Sequence, residues 1–270
     1  MRDNNYVQRR RSFIFCPGNK PELLTKALNS GADMVCVDLE DAIIPQHKDI
    51  SRSKTLEAFK TASVPKGIET LIRINDINSE DGFKDIEALS SASNLPSGLM
   101  LPKIKTVEEI QKLNNRFIDA NININLHVII ETNQGLKNVW EIAHSCSSIK
   151  SLLFGGVDMS ADLGCLGDWT SLLYARSRVV HAAAGAGIDS IDVPFLDLDN
   201  MEGLREEALL SKNLGFSGKG SIHPKQIEVL NSIFTPSDAE VSYAKKIIKA
   251  FEKASDGLVV VDGKLIEKPV

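Results

Sequence analysis

The sequence contains no Cys-x-x-Cys pair; Cys16, Cys36, Cys146 and Cys165 are scattered and lack metal-ligand spacing. That pattern argues against a disulfide framework, and the lack of any His or Cys cluster argues against zinc. Cys16 and Cys36 fall in apolar runs and read as small buried hydrophobes, which fits a reducing cytoplasm. Nowhere do about 18 apolar residues run together. Residues 1–11 are polar and basic without an apolar core, so neither a membrane span nor an export signal is expected. Positive charge is also short: 31 Lys and Arg against 36 Asp and Glu leave a net charge of −5. With a pI near 5.6, that balance excludes nucleic acid as the main partner, since phosphate neutralisation needs a basic face. The one basic run, Arg9-Arg10-Arg11, reads as a solvated tail or an anion contact. No G-x-G-x-x-G opens a helix; Gly185-Ala186-Gly187 comes closest, but it ends one and reads as a C-cap.

What is present is a repeating alternation of apolar runs and helical patterns. Ser12-Phe13-Ile14-Phe15-Cys16 stops at Pro17-Gly18 and leads into a helix over 21–29. Strands at 34–37, 70–75, 98–101, 126–130, 151–154, 190–193 and 216–222 follow. Helices are expected over 48–60, 82–89, 107–114, 135–146, 171–184, 203–213 and 224–232. Eight such units, recurring about every 30 residues, are what a (β/α)8 TIM barrel requires. A doubly wound open sheet is the alternative, disfavoured by the missing Gly-rich dinucleotide turn. The expectation is one TIM-barrel domain over 1–270, its barrel about 11–235. A short extension over about 236–270 adds a helix (237–254) and a hairpin turning at Asp262-Gly263.

The strand ends carry the polar residues: Asp38, Glu40 and Asp41, then Arg73 and Asn75, Lys103, Glu131, Asp158, Asp192 and His223. Barrel enzymes build their sites from that face. Glu131 closes one strand and Asp158 follows the next after Gly155-Gly156. The two acids either converge on one hard cation such as Mg²⁺ or are separately solvated. Arg73, on an apolar strand, either grips a carboxylate or developing oxyanion, or is a buried ion pair with a carboxylate of Asp38-Leu39-Glu40-Asp41. His223 either bonds a substrate or locks its loop. His181, Trp140 and Trp169 read as packing residues, and Asp162, Asp192 and Asp197 as caps of turns and helices.

The motifs Arg11-Ser12-x-x-Phe15-x-Pro17-Gly18, Asp38-Leu39-Glu40-Asp41-Ala42, Arg73-x-Asn75, Leu101-Pro102-Lys103 and Ile130-Glu131-Thr132 occur in one order. Phe154-Gly155-Gly156-x-Asp158 and Gly218-Lys219-x-x-Ile222-His223-Pro224-x-Gln226 follow. With these motifs the chain, from Arg11 to Pro269, resembles the citrate lyase β-subunit-like family of the HpcH/HpaI aldolase superfamily. The resemblance implies a (β/α)8 barrel, a homo-oligomer (trimer or hexamer), and Mg²⁺-dependent cleavage of citramalyl-CoA, malyl-CoA or citryl thioesters to a 2-oxo acid. Mn²⁺ is the expected substitute. It further implies that Glu131 and Asp158 hold the metal, and that Arg73, Asp38 and Glu131 meet the substrate. Arg11 and Lys20 are implied to line the groove of the thioester carrier.

A carrier-dependent citryl lyase subunit and a pyruvate aldolase using aldehydes remain open. Citramalyl-CoA is the first choice, because Met159 and Val193 lean apolar at the strand ends. The proton for the departing enolate is expected from Glu40 or Asp41, whose mutual repulsion keeps one carboxyl protonated. Many relatives continue into a lid that brings a catalytic aspartate, whereas this sequence stops at Val270. That places the proton donor in the barrel, with Glu40 first.

Overall fold

In the computed structural model, residues 7–254 and 257–267 are described, so the end of the resemblance at Pro269 and most of the tail 1–11 lie outside them. Eight parallel strands close into a barrel in chain order. They are β1 (Ser12–Pro17), β2 (Met34–Asp38), β3 (Glu69–Arg73), β4 (Gly98–Leu101), β5 (Asn125–Ile130), β6 (Ile149–Phe154), β7 (Asp189–Asp192) and β8 (Gly218–Ser221). Closure comes from β8 pairing β1 at Ser12↔Lys219. Helices follow the strands around the outside, so both strand faces are covered and the strands read as continuous apolar runs. The protein is a (β/α)8 TIM barrel with an added C-terminal hairpin.

Strand side chains alternate between two cores. Phe13, Cys36, Leu71, Met100, Ile129, Leu153 and Ile191 fill the barrel interior, while Ile14, Val37, Ile72, Leu101, Val128 and Leu152 pack outward against the helices. Because the period is two, the residue two beyond each interior one also faces the axis, at the carboxyl-terminal mouth. That rule delivers Phe15, Asp38, Arg73, Glu131 and Val193 to one opening. The even position Asp192 faces the helices instead.

The opposite, amino-terminal rim is held by arginines. Arg10 forks onto Glu69 at 2.6 and 3.1 Å and reaches Asp189 at 2.7 Å. Arg11 forks onto buried Asp33 at 2.8 and 2.9 Å. Of the basic run only Arg9 stays largely in solvent; the guanidiniums of Arg10 and Arg11 neutralise acids at the start of β2, β3 and β7 rather than meeting an anion at the mouth. Replacing Arg11 by Ala should lower stability by about 2 kcal/mol, the scale of a charge-assisted pair that keeps partial solvent access. Thermal melts check this.

Two helical stretches differ from the pattern reading. The helix expected over 135–146 is two, Asn133–Lys137 and Val139–Ala143, broken at Asn138, whose amide donates to Lys105 O at 2.8 Å. Gly155-Gly156, read as a turn, instead starts the helix Gly156–Leu163, and Asp158 sits in its first turn. Gly187 does end its helix in the left-handed conformation. The chain divides into two compact units, Met1–Phe234 and Thr235–Val270. In the second, the helix Asp238–Lys253 starts with a Ser237/Glu240 capping box. The strands β9 (Leu258–Val261) and β10 (Lys264–Glu267) turn through Asp262 and Gly263, both at positive φ.

Candidate active site

The mouth holds an asymmetric charge cluster. Arg73 forks onto Asp38 with both contacts at 2.7 Å, and its third nitrogen faces Glu40 at 3.1 Å and Asp41 at 3.4 Å. Its guanidinium lies 4.7 Å over the Phe15 ring. The ion pair with Asp38 and a position in the cavity wall thus coexist: the fork fixes the plane of the guanidinium and turns its third nitrogen to Glu40 and Asp41. Asp38 is itself fixed by the backbone N–H groups of Glu40 and Ala42. Burial works against the Arg73 charge, yet the Asp38 fork, with Glu40 and Asp41 behind it, lifts its pKa above the ordinary value.

Glu40 is buried between two cations, Arg73 and Lys103, the latter 2.9 Å away. Both contacts are at ion-pair distance, but neither has hydrogen-bond alignment, so its oxygens keep unused acceptor capacity. Burial raises its pKa, with Asp41 adding and the two cations opposing. Asp41 sits at the exposed rim.

Lys103 has an unusual backbone, φ 56°, for a residue with a side chain. That turn aims its N–H at Glu131 Oε1, 2.7 Å away, while its ammonium serves Glu40. The other Glu131 oxygen lies over Gly155, where a Cβ would approach it to 2.7 Å, so only glycine leaves that space. Glu131 and Asp158 line the same cavity, about 290 Å³, as Arg73. They also line a second, outer hollow with Lys103 and Lys105. Burial, then the charges of Glu40 and Asp158, push the Glu131 carboxyl from the ordinary 4.5 to about 8.

Excess negative charge on oxygen-only donors fits a hard divalent cation and gives nothing to a soft one. Among the described residues no group of three or more His, Cys, Asp or Glu could hold a metal. A cation here would therefore take these two carboxylates and complete its shell with water and substrate oxygens.

The remaining sequence candidates scatter. Lys20 is exposed on the loop after β1, on the mouth side, with no contact to the cluster. Arg11 is at the other end of the barrel, paired with Asp33, and is not brought to the site. His223 locks its loop, its Nδ1 accepting the Lys225 N–H. Asp162 caps the helix at Asn133, and Asp197 accepts the Asp199 N–H, both as expected. Asp192 is no cap: it is buried against Arg176 at 3.0 Å and Lys219 at 2.7 Å. Met159 is fully buried in the outer core and does not reach the cavity. Val193, expected among the apolar strand-end residues, lines the cavity, but the pattern reading missed Pro194, Leu196 and Ile222, which complete that wall. Only Val193 follows from strand parity; the others lie on loops, where no period operates. Among the described residues no helix is long and apolar enough to cross a membrane.

A family model described as HpcH/HpaI aldolase/citrate lyase matches residues 11–224. The citrate lyase subunit beta of Leuconostoc mesenteroides subsp. cremoris is 32% identical, over 98% of this chain and 91% of that protein. The mitochondrial citramalyl-CoA lyase of Rattus norvegicus is 30% identical, over 99% of this chain and 84% of that one. The crystal structure of CitE from Mycobacterium tuberculosis in complex with magnesium, acetoacetate and coenzyme A superimposes with TM-score 0.79 at 28% identity, covering 96% and 92%. A barrel matched over its whole length by lyases, with an oxygen-ligand site at its mouth, is a carbon–carbon lyase, and the chain belongs to the HpcH/HpaI aldolase/citrate lyase family, in its citrate lyase β-subunit-like group.

Proposed function

We propose that the protein cleaves a short 3-hydroxy-3-carboxyacyl-CoA thioester to acetyl-CoA and a 2-oxo acid with Mg²⁺, citramalyl-CoA giving pyruvate being the first choice. One observation carries this reading: Glu131, Asp158 and Arg73 share a cavity whose remaining lining, apart from Asp41 and Asp192, is apolar. In this role Glu131 and Asp158 hold Mg²⁺, with Mn²⁺ as the substitute. When bound, the cation supplies a Lewis acid that lowers the pKa of the substrate hydroxyl. As the bond between the thioester α-carbon and the hydroxyl-bearing carbon breaks, its electron pair moves to the thioester as an enolate. Arg73, which lines the same cavity, is the cation that stabilises that developing charge in this reading. The hydroxyl proton passes to solvent water, and the hydroxyl carbon becomes the 2-oxo acid carbonyl.

Glu40 delivers the proton that turns the enolate into acetyl-CoA. Its buried carboxyl has a raised pKa and unused oxygens, whereas Asp41 is open to water. Glu40→Gln is expected to slow exchange of the acetyl-CoA methyl protons with solvent deuterium by about 10²-fold, with Mg²⁺ binding retained. Exchange at the wild-type rate would make Glu40 structural. Lys20, exposed on the loop after β1, is the residue we assign to carrier phosphates, and assembly as a trimer or hexamer is the matching quaternary proposal.

Turnover of citramalyl-, malyl- and citryl-CoA by the isolated protein tests the whole reading. Inactivity on all three, with activity on a carrier-bound citryl thioester, would instead favour a citrate lyase subunit, as the Leuconostoc relative is named. Activity only with pyruvate and aldehydes would make it an aldolase.

A further inference from the structure

In a closed eight-stranded barrel β7 lies across the axis from β3, so the loop after β7 faces Arg73. Val193, Pro194 and Leu196 of that loop, with Ile222 after β8, form the apolar side of the cavity. Two fully buried polar side chains hold this wall from behind. Lys219 donates to Val193 O at 2.7 Å, and its charge is matched by Asp192 and Glu207, each at 2.7 Å. Gln226 donates to Phe195 O at 2.9 Å and accepts the Ile222 N–H at 3.0 Å, tying the two loops together. Glycines seat the wall: a Cβ on Gly220 would lie 2.7 Å from both Phe13 and Pro194, and one on Gly156 would lie 3.2 Å from Val193. Gly156 stands two residues before Asp158, so the wall and the carboxylate share one support.

A buried ammonium and a buried amide are costly unless every polar atom is matched, and an apolar side chain would fill the same space without that cost. Here the two groups address alternate main-chain carbonyls of one four-residue segment. That is a geometry for fixing a loop.

We propose that the wall of 193–196 and Ile222 sets substrate selection, with Lys219 and Gln226 as the positioning residues that hold it. They keep the wall rigid so that an alkyl substituent on the reacting carbon packs against it. The inference rests on the lyase reading above and adds the surface that decides which 2-oxo acid is released. Arg73 is the sole cation lining the cavity among the described residues, and it is already forked to Asp38. A carboxymethyl substituent, as in a citryl thioester, would meet this wall without a counter-ion. A hydrogen, as in a malyl thioester, would leave the wall unfilled, which costs about 10- to 200-fold in selectivity per missing methyl-sized group.

The test compares wild type, Gln226→Met and Leu196→Ala. For Gln226→Met the ratio of kcat/KM for citramalyl-CoA over malyl-CoA is expected to fall about tenfold, mainly through KM. Backbone amide exchange at Phe195 and Leu196 is expected to quicken in the same variant while the strands keep their protection. Leu196→Ala, at a half-open surface site, should lower the ratio without changing exchange. An unchanged ratio, or equal losses on both thioesters with faster exchange throughout the barrel, would overturn the proposal. Should wild type turn over neither thioester, the CoA-thioester reading fails separately. Mg²⁺-dependent binding of pyruvate against glyoxylate then decides: a preference for pyruvate that Gln226→Met abolishes supports the wall, and no preference in wild type overturns it.

Discussion

Glu131→Gln or Asp158→Asn is expected to lower kcat/KM by about 10³-fold, the several kcal/mol that a Lewis acid supplies, and to leave the barrel folded. The two acids are the carboxylates that Lys103 N–H, Gly155 and the first turn of the helix Gly156–Leu163 aim into one cavity. A cation with two protein ligands that loses one keeps too little to hold its place. The raised pKa of Glu131, about 8 without a cation, adds a pH signature. Binding requires the carboxylate form, so below pH 8 the cation must displace a proton. Apparent Mg²⁺ affinity should therefore rise about tenfold per pH unit well below 8 and level off above it. Stability follows the opposite sign. A carboxyl whose folded pKa is raised stabilises the fold while protonated, and that contribution fades as pH rises from about 4.5 towards 8. Chelated wild type should lose melting temperature over that window relative to Glu131→Gln, and Mg²⁺ should abolish the difference. Calorimetric titration between pH 6 and 9 with paired thermal melts reads both. A pH-independent affinity, or full activity in excess chelator, would remove Glu131 from the metal site.

How much of this was legible depends on how local the cause is. The eight strands could be read because each is an uninterrupted apolar run, and the period of two carries Asp38, Arg73 and Glu131 to the mouth once Cys36, Leu71 and Ile129 are known to face inward. Asp158 was legible as a residue but not as part of a helix. Two glycines in a row read as a turn, and only the crowding of Glu131, Phe154 and Val193 around them explains why a helix can start there. Arg11 stands immediately before the strand that begins at Ser12, so its place at the amino-terminal end was legible and the resemblance alone drew it toward the groove. Its partner was not legible, because the fork onto Asp33 joins residues 22 positions apart. Lys219, Gln226 and Asp192 were unreadable for the same reason. Their partners are main-chain carbonyls and side chains of other units, and no periodicity links them.

Arg73→Lys is expected to lower kcat by about 10²- to 10³-fold, with the thioester KM moving less than about fivefold. The guanidinium performs two tasks at once, forking Asp38 with two nitrogens while a third edge stands 3.1 Å from Glu40 and lines the cavity. An ammonium can be a point charge for one of these partners but has no plane to serve both. If the substituted ammonium turns to Asp38, the enolate forms opposite no fixed donor. If it turns to the cavity, Asp38 keeps only the N–H groups of Glu40 and Ala42. The two outcomes are separable. A purely structural arginine predicts a lower melting temperature and an unchanged rate wherever the variant remains folded. An arginine that stabilises developing charge predicts a slower rate even at temperatures where melting is negligible. It also predicts that Asp38→Asn, which keeps Arg73 but loosens its plane, loses less rate than Arg73→Lys. Equal rates for Arg73→Lys and wild type at such a temperature would assign the residue to the fold alone.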